Sequence, residues 1–179
     1  EKIADHEKDD FSKSLLIIVK QIKQIENLVN EFSDFARMPK PILKDNNLVS
    51  LIKDNIKLIN ELDTSIIIDF KTIKSDILLN SDTEQLSRVF FNLIKNSIES
   101  IQDKKIDNIN LIGKIDISLE ESSDKINFII IDNGLGFGIF ADNIKDILNP
   151  YFTTKKKGTG LGLSIVNKII NDHNGKINF

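Results

Sequence analysis

The chain has 179 residues with 24 basic and 27 acidic side chains, a formal charge of −3. Hydrophobic residues make up 40% and charged residues 28%, the balance of a soluble globular domain with room for one appendage. This mild acidity gives no support to a nucleic-acid or membrane-surface partner, and the lack of cysteine excludes disulfides, thiolate catalysis and cysteine zinc sites. No apolar run approaches the roughly 20 residues that cross a bilayer. The opening EKIADHEKDD is too charged to read as a signal peptide.

From 9 to about 37 the pattern predicts one long helix. Phe11, Leu15, Ile18, Ile22, Ile25, Val29, Phe32 and Phe35 recur at spacings of three and four, with Lys and Glu on the other face. Such a stripe needs a partner helix. Met38-Pro39-Lys40-Pro41 ends it, because Pro39 disfavours a helical Met38 and two prolines stiffen the linker. The boundary divides the chain into 1–38 and 39–179.

Asn47 is placed to cap a helix over Leu48–Leu62, with Leu48, Leu51, Ile52, Ile56 and Ile59 on one face. Strands are predicted at 65–71 and 76–80. Asp82 or Thr83 caps the next helix, which runs to about 102. Two more strands, 114–120 and 125–131, pair around a turn at 122–124. A glycine-rich stretch, a helix over 161–172 and a last strand at 176–179 complete the chain. Helices and strands alternate, but the hairpin signals favour a mixed sheet, so the expected class is α/β.

Three stretches carry chemistry. In YFTTKKKGTGLGLSIV (151–166), Gly158, Gly160 and Gly162 alternate ahead of a helix and follow Lys155, Lys156 and Lys157. The G-x-x-x-x-G-K-[ST] loop is absent. G-x-G-x-x-G fails too, because Leu163 or Ile165 stands where its third glycine belongs. Backbone N–H groups at a helix start still suit an anion; the plainer alternative is a solvated lysine loop. In QLSRVFFNLIKNSIESI (85–101), Leu86, Val89, Phe90, Leu93, Ile94, Ile98 and Ile101 form an apolar face, and Asn92, Asn96 and Glu99 form a narrow polar strip. Asparagine is a poor choice inside a helix. Its amide oxygen suits a hard cation such as Mg2+ that shares phosphate oxygens; the alternative is an ordinary wet face. The third stretch, IIIDNGLGFG, ends an apolar strand on Asp132 and follows it with Gly134, Gly136 and Gly138. Asp132 is placed to accept from an amino group such as that of adenine; the alternative is a common Asp-Asn-Gly turn.

Together these blocks resemble the catalytic ATP-binding domain of sensor histidine kinases, members of the superfamily shared with gyrase and Hsp90, over about 42–179. QLSRVFFNLIKNSIES is similar to the N box, IDNGLGFG to the first glycine box, PYFTTK to the F box and GTGLGLSIV to the second glycine box. The helix ending FSDFARMPKP is similar to the second helix of the dimerisation and phosphoacceptor hairpin, in its nitrogen-regulation (NtrY/NtrB) type. The resemblance implies a two-layer α/β sandwich with a mixed sheet, the Bergerat ATP-binding fold, preceded by a long dimerisation helix. It implies ATP and Mg2+ as ligands. Asp132 would bind the adenine amino group, and Gly134 and Gly136 would line the base and sugar. Asn96 would ligate Mg2+, with Asn92 assisting. Lys155 would meet phosphate. Gly158, Thr159, Gly160, Leu161 and Gly162 would pass the phosphates at the end of a lid that nucleotide orders, and Phe152 would dock that lid. Superfamily ATPases carry a glutamate where Asn92 stands. Asparagine takes no proton, so the resemblance implies ATP held for transfer, with catalysis from positioning and Mg2+ charge neutralisation.

The acceptor is the expected gap. His6 and His173 are the only histidines. His6-Glu7-Lys8-Asp9-Asp10 lacks the apolar residue and proline of the family's acceptor block, and His173 is expected to close a helix ahead of Asn174-Gly175. The chain therefore reads as a fragment, with its acceptor helix upstream of Glu1, its final strand beyond Phe179 and no catalytic residue of its own. The expected function is transfer of the ATP γ-phosphoryl to a histidine on that upstream helix and then to an aspartate in the receiver domain of a response regulator. The fragment alone is not expected to autophosphorylate. A homodimer through helix 9–37, no nucleic-acid partner and membrane anchoring only through an upstream region complete the expectation, which places the full protein on the cytoplasmic side of the inner membrane. The alternative is a non-catalytic nucleotide-binding regulatory module of the same superfamily.

Overall fold

Pro39 and Pro41 cannot continue a helix, and there the chain divides into two compact units, Glu1–Pro39 and Lys40–Phe179. The computed structural model describes residues 2–62, 65–137, 146–153, 155 and 158–179, and only the backbone at 2–8, 27, 34 and 62.

The first unit is one helix, α1 (Lys2–Ala36), closed by Arg37 N–H donating to Ser33 O at 2.9 Å. It starts before the apolar stripe does, because its early Lys, Ala and Glu are good helix formers. Phe11, Leu15, Ile18, Ile22, Ile25, Val29 and Phe32 are all exposed in the single chain.

The second unit begins with a strand that composition did not announce. In β1 (Lys44–Asn47), KDNN has no β-branched or aromatic residue. It becomes a strand by pairing antiparallel with β3 (Leu78–Ser81), helped by Asn46 Nδ2 donating to Ser81 O at 2.6 Å and Asn80 Nδ2 donating to Asp45 Oδ1 at 2.9 Å. Between them lies α2 (Leu48–Leu62), capped as expected: Asn47 Oδ1 accepts from Val49 N–H at 3.0 Å. Its buried face is Leu48, Val49, Leu51, Ile52 and Ile59.

A second sheet is mixed, in the order β2-β4-β5. Strand β2 (Ile66–Thr72) runs parallel to β4 (Gly113–Glu121), and β4 pairs antiparallel with β5 (Ile126–Asp132). The β4–β5 turn is fastened by Ser122, whose N–H and Oγ both donate to Lys125 O, at 2.9 and 3.0 Å. On β4, Ile115, Ile117 and Leu119 are buried while Lys114 and Glu120 are exposed, so one sheet face is covered and the other is wet. The covering helix is α3 (Thr83–Asp107), against which α2 and α4 (Gly162–Asp172) also pack. The result is a helix layer on a sheet layer. Its core holds Ile52, Ile94, Ile101, Ile115, Ile117, Leu161 and Ile169, all almost fully buried. Phe90 of α3 meets Phe128 of β5 at 4.8 Å between ring centres, worth about 1 kcal/mol beyond area burial.

Two expectations need correction. Helix α3 continues past 102 to Asp107, where Lys104 and Lys105 in its last turn suit the negative end of the helix dipole. The strand expected at 176–179 is not one, because alternation makes a strand only where an edge pairs with it, and among the described residues no edge does. The chain instead leaves α4 through a left-handed Asn174 (φ 59°) and Gly175, whose N–H donates to Ile170 O at 2.8 Å. Phe179 then sets its ring edge-on to Phe137, with centres 5.2 Å apart.

Candidate functional site

Helix α3 is the scaffold of the site. Asn92 and Asn96 lie on it one turn apart, both half-buried. Among the described residues neither amide side chain has a hydrogen-bond partner. Glu99 completes the strip, and its Oε2 holds Lys155 Nζ at 2.5 Å, with Lys95 Nζ 3.9 Å from Oε1. The ion pair ties Lys155 to α3. Both its side chains are about one-third exposed (31% and 35%), so the pair is only partly shielded from water.

Backbone bonds join the described residues on either side of Lys155. Gly158 N–H donates to Lys155 O at 3.1 Å, and Tyr151 N–H donates to Gly160 O at 3.0 Å. Gly160 sits at φ +69°, and a Cβ there would come 2.5 Å from the Tyr151 carbonyl carbon. Both the left-handed backbone and the close approach require glycine. Thr159 Oγ1 accepts a long bond of 3.4 Å from Leu161 N–H, and Leu161 is fully buried, which anchors the loop. Gly162 opens α4 beside Asn92: a Cβ there would lie 3.8 Å from Asn92 Oδ1. The cap position, Leu161, offers no side-chain acceptor to the first N–H groups of α4. The first N–H groups of α4 thus lack a side-chain cap where the helix starts beside Asn92, an arrangement that suits an anion.

Asp132 ends β5, and its Oδ1 accepts from Gly134 N–H at 2.9 Å. The Asp-Asn-Gly turn is docked on both sides. Asn133 Oδ1 accepts from Lys114 N–H at 2.9 Å, and Asn133 Nδ2 donates to Ile112 O at 2.8 Å. From α3, Lys104 Nζ donates to the carbonyls of Asn133 and Gly134 at 2.9 and 3.0 Å, and Leu135 N–H donates to Ser100 O at 3.3 Å. A Cβ on Gly134 would come 2.7 Å from the Ser100 carbonyl carbon, so Gly134 serves close helix–turn packing.

The structure thus brings Asn92 to Gly162, Glu99 to Lys155, and Asp132 with Gly134 to α3. It leaves Gly136, at φ +67°, facing open space. Lys156, Lys157 and Gly138 lie outside the described residues, as does the side chain of His6 in α1. Sequence reading missed Ser100 and Lys104. The signal was there: Asn92, Asn96, Ser100 and Lys104 recur every four residues, one strip down α3. It also missed half of His173. That residue does close α4, its Nδ1 bonding Ile169 O at 2.8 Å, but Nε2 also accepts from Asp82 N–H at 3.0 Å and so ties the end of α4 to the start of α3. Among the described residues no cluster of three His, Asp or Glu side chains is arranged to hold a metal ion. A cation here would rest on the amide oxygens of Asn92 and Asn96 plus oxygens of its ligand, a donor set that fits Mg2+.

The family model for histidine kinase-, DNA gyrase B- and HSP90-like ATPases matches residues 81–179. The chain is 34% identical over 169 residues to a putative NtrY-like sensor histidine kinase of Rickettsia felis, covering 94% of this chain and 27% of that protein. It is 32% identical over 171 residues to the nitrogen regulation protein NtrY of Azorhizobium caulinodans, covering 96% of this chain and 22% of that protein. The chain therefore spans about a quarter of the length of the curated relatives it matches. Among solved structures, the catalytic domain of the histidine kinase ThkA superposes with a TM-score of 0.62 at 32% identity, covering 73% of this chain and 81% of that one. ThkA in complex with the response regulator protein TrrA gives 0.69 at 26% identity, covering 89% of this chain and 43% of that one. Among the described residues no helix is long and apolar enough to cross a membrane.

Proposed function

The chain belongs to the histidine kinase-, DNA gyrase B- and HSP90-like ATPase family, and from that premise we propose that it is the ATP-binding core of a two-component sensor histidine kinase of the NtrY type. On this reading it delivers the γ-phosphoryl of ATP to a histidine on a helix that packs against α1, and from there to an aspartate of a response regulator. The observation that carries it is the gathering of all four motif blocks on one flank of α3, with Asn92 by Gly162, Glu99 on Lys155, and Ser100 against Asp132 and Gly134. Residues 39–179 are the catalytic domain and 1–38 the dimerisation helix. The exposed stripe of α1 pairs two copies.

Each residue has its task. Asp132 takes the adenine amino group with a carboxylate oriented by Gly134 N–H. Gly134 and Gly136 border the base and sugar. The segment Gly158, Thr159, Gly160, Leu161 and Gly162 presents backbone donors to the phosphates, and Lys155 exchanges Glu99 for a phosphate oxygen. Asn96, with Asn92 beside it, would hold Mg2+, which when bound neutralises charge on the phosphates. Asn92 and Asn96 accept no proton, so a water molecule beside the γ-phosphate finds no base at either position, which favours transfer over hydrolysis.

Calorimetric titration with Mg-ATP tests the site. Asn96→Ala and Asp132→Ala should each weaken binding about tenfold or more, the scale of one hydrogen bond or ligand to a charged group. Unchanged affinity in both would overturn the assignment. Adding a separate helix that carries an acceptor histidine, with labelled ATP, should yield phosphohistidine. Mg-ATP binding without any transfer would favour the regulatory module instead.

A further inference from the structure

Ser100 continues the strip of α3 one turn beyond Asn96. Its hydroxyl oxygen is enclosed and has no hydrogen-bond partner among the described residues. A buried hydroxyl in that state is desolvated without compensation, which calls for a reason. What it faces is the turn after β5. A single point, the Cβ position of Gly134, lies 2.3 Å from Ser100 Oγ and 2.8 Å from Asp132 Oδ1. One small gap, kept open by a glycine, separates the two oxygens. Asp132 Oδ1 already accepts from Gly134 N–H at 2.9 Å and has a second lone pair to offer. The main chain of Ser100 is held to the same turn by Leu135 N–H.

We propose that Ser100 is a positioning residue for Asp132: once nucleotide is bound, its hydroxyl, unpaired among the described residues of the free chain, donates to Asp132 Oδ1, which leaves the other carboxylate oxygen aimed at the exocyclic amino group of a 6-aminopurine and sets the preference of the site for adenine over a 6-oxopurine. This rests on the reading that Asp132 binds the adenine amino group. The physical basis is that a fixed carboxylate attracts an amino donor and repels a carbonyl oxygen at the same place on the base. Two donors on Oδ1 stop it turning. With one donor removed the carboxylate can turn, and the penalty on the 6-oxopurine falls.

The 179-residue chain is titrated with Mg-ATP and Mg-ITP as the unmodified protein, as Ser100→Ala and as Asp132→Ala, and its thermal midpoint is read without nucleotide. Ser100→Ala should weaken ATP about tenfold and leave ITP within about twofold. Its midpoint without nucleotide should stay unchanged or rise, because an unpaired hydroxyl has gone. If Asp132→Ala loses ATP affinity while Ser100→Ala keeps it, the role of Ser100 is overturned and the base site stands. If Asp132→Ala binds ATP as well as the unmodified chain, or the unmodified chain does not bind ATP, the base site itself falls and the proposal with it. Equal weakening of ATP and ITP with a lowered midpoint would mark Ser100 as structural only and would also overturn the proposal.

Discussion

Asp82 does several jobs with one carboxylate. It caps α3 by accepting from Gln85 N–H at 3.0 Å, and it accepts from Ile42 N–H at 2.8 Å, which pins the start of the second unit to the start of the helix. Burial pushes its carboxyl up, but the amides of Gln85, Ile42 and Glu84, with His173 beside it, together outweigh burial and hold it below the usual 3.8. A carboxyl lowered by folding stabilises the fold above its unfolded value, and that contribution is lost as pH falls through the folded value. Asp82→Ala should therefore cost about 1–2 kcal/mol at neutral pH. Asp82→Asn keeps an acceptor oxygen but cannot titrate, so its stability should fall less than that of the unmodified chain between pH 5 and about pH 2. Urea unfolding at a series of pH values checks both, and parallel pH profiles for the two proteins would refute the assignment.

Where elements meet, the glycines differ sharply. Gly134 lies between the β5 turn and α3 with no room for a methyl group, whereas Gly136 faces open space. Gly134→Ala has to push α3 away from the turn, and overpacking of this kind costs about 1–3 kcal/mol. Gly136→Ala meets only its left-handed backbone, about 1–2 kcal/mol, and leaves the helix in place. Both glycines border the nucleotide, but only the first change moves Asp132, so Gly134→Ala should weaken ATP binding more than Gly136→Ala; equal ATP affinities for the two variants would contradict this. The same junction marks how far sequence alone reaches. Periodicity found α2 and its Asn47 cap, the buried face of α3 and the β4–β5 hairpin, because each is written in local spacing. It could not find β1, whose KDNN becomes a strand only through β3, nor the bond from His173 to Asp82, which joins residues far apart in the chain. The 176–179 segment failed for the complementary reason: it alternates like a strand but gains no partner. Ser100 lay in plain view at the next step of the Asn92–Asn96 spacing, but serine on a helix announces nothing until its burial and its neighbour, Gly134, are known.

For the molecule as a whole, the exposed stripe of α1 sets the behaviour in solution. Ile22 and Ile25 are 60% and 59% exposed, and two copies would cover such a stripe as paired helices do. Sedimentation should show a dimer at micromolar concentration, and the double variant Ile22→Asp/Ile25→Asp should sediment as a monomer while its Mg-ATP affinity stays within about twofold. A monomeric unmodified chain would count against pairing through α1.

The parallel pairing of β2 with β4 bears on how the chain is made. Ile66 sits opposite Gly113, with β3 and all of α3 between them in sequence, so the pair cannot form from neighbouring segments. The ribosome therefore releases β2 well before its partner exists. Until β4 emerges, the run Ile66, Ile67 and Ile68 presents an unpaired apolar edge of the kind that joins chains to one another. The hairpin to β5 then closes locally and protects the other side. The hazardous interval for this protein falls during synthesis, before residue 121 has cleared the exit tunnel.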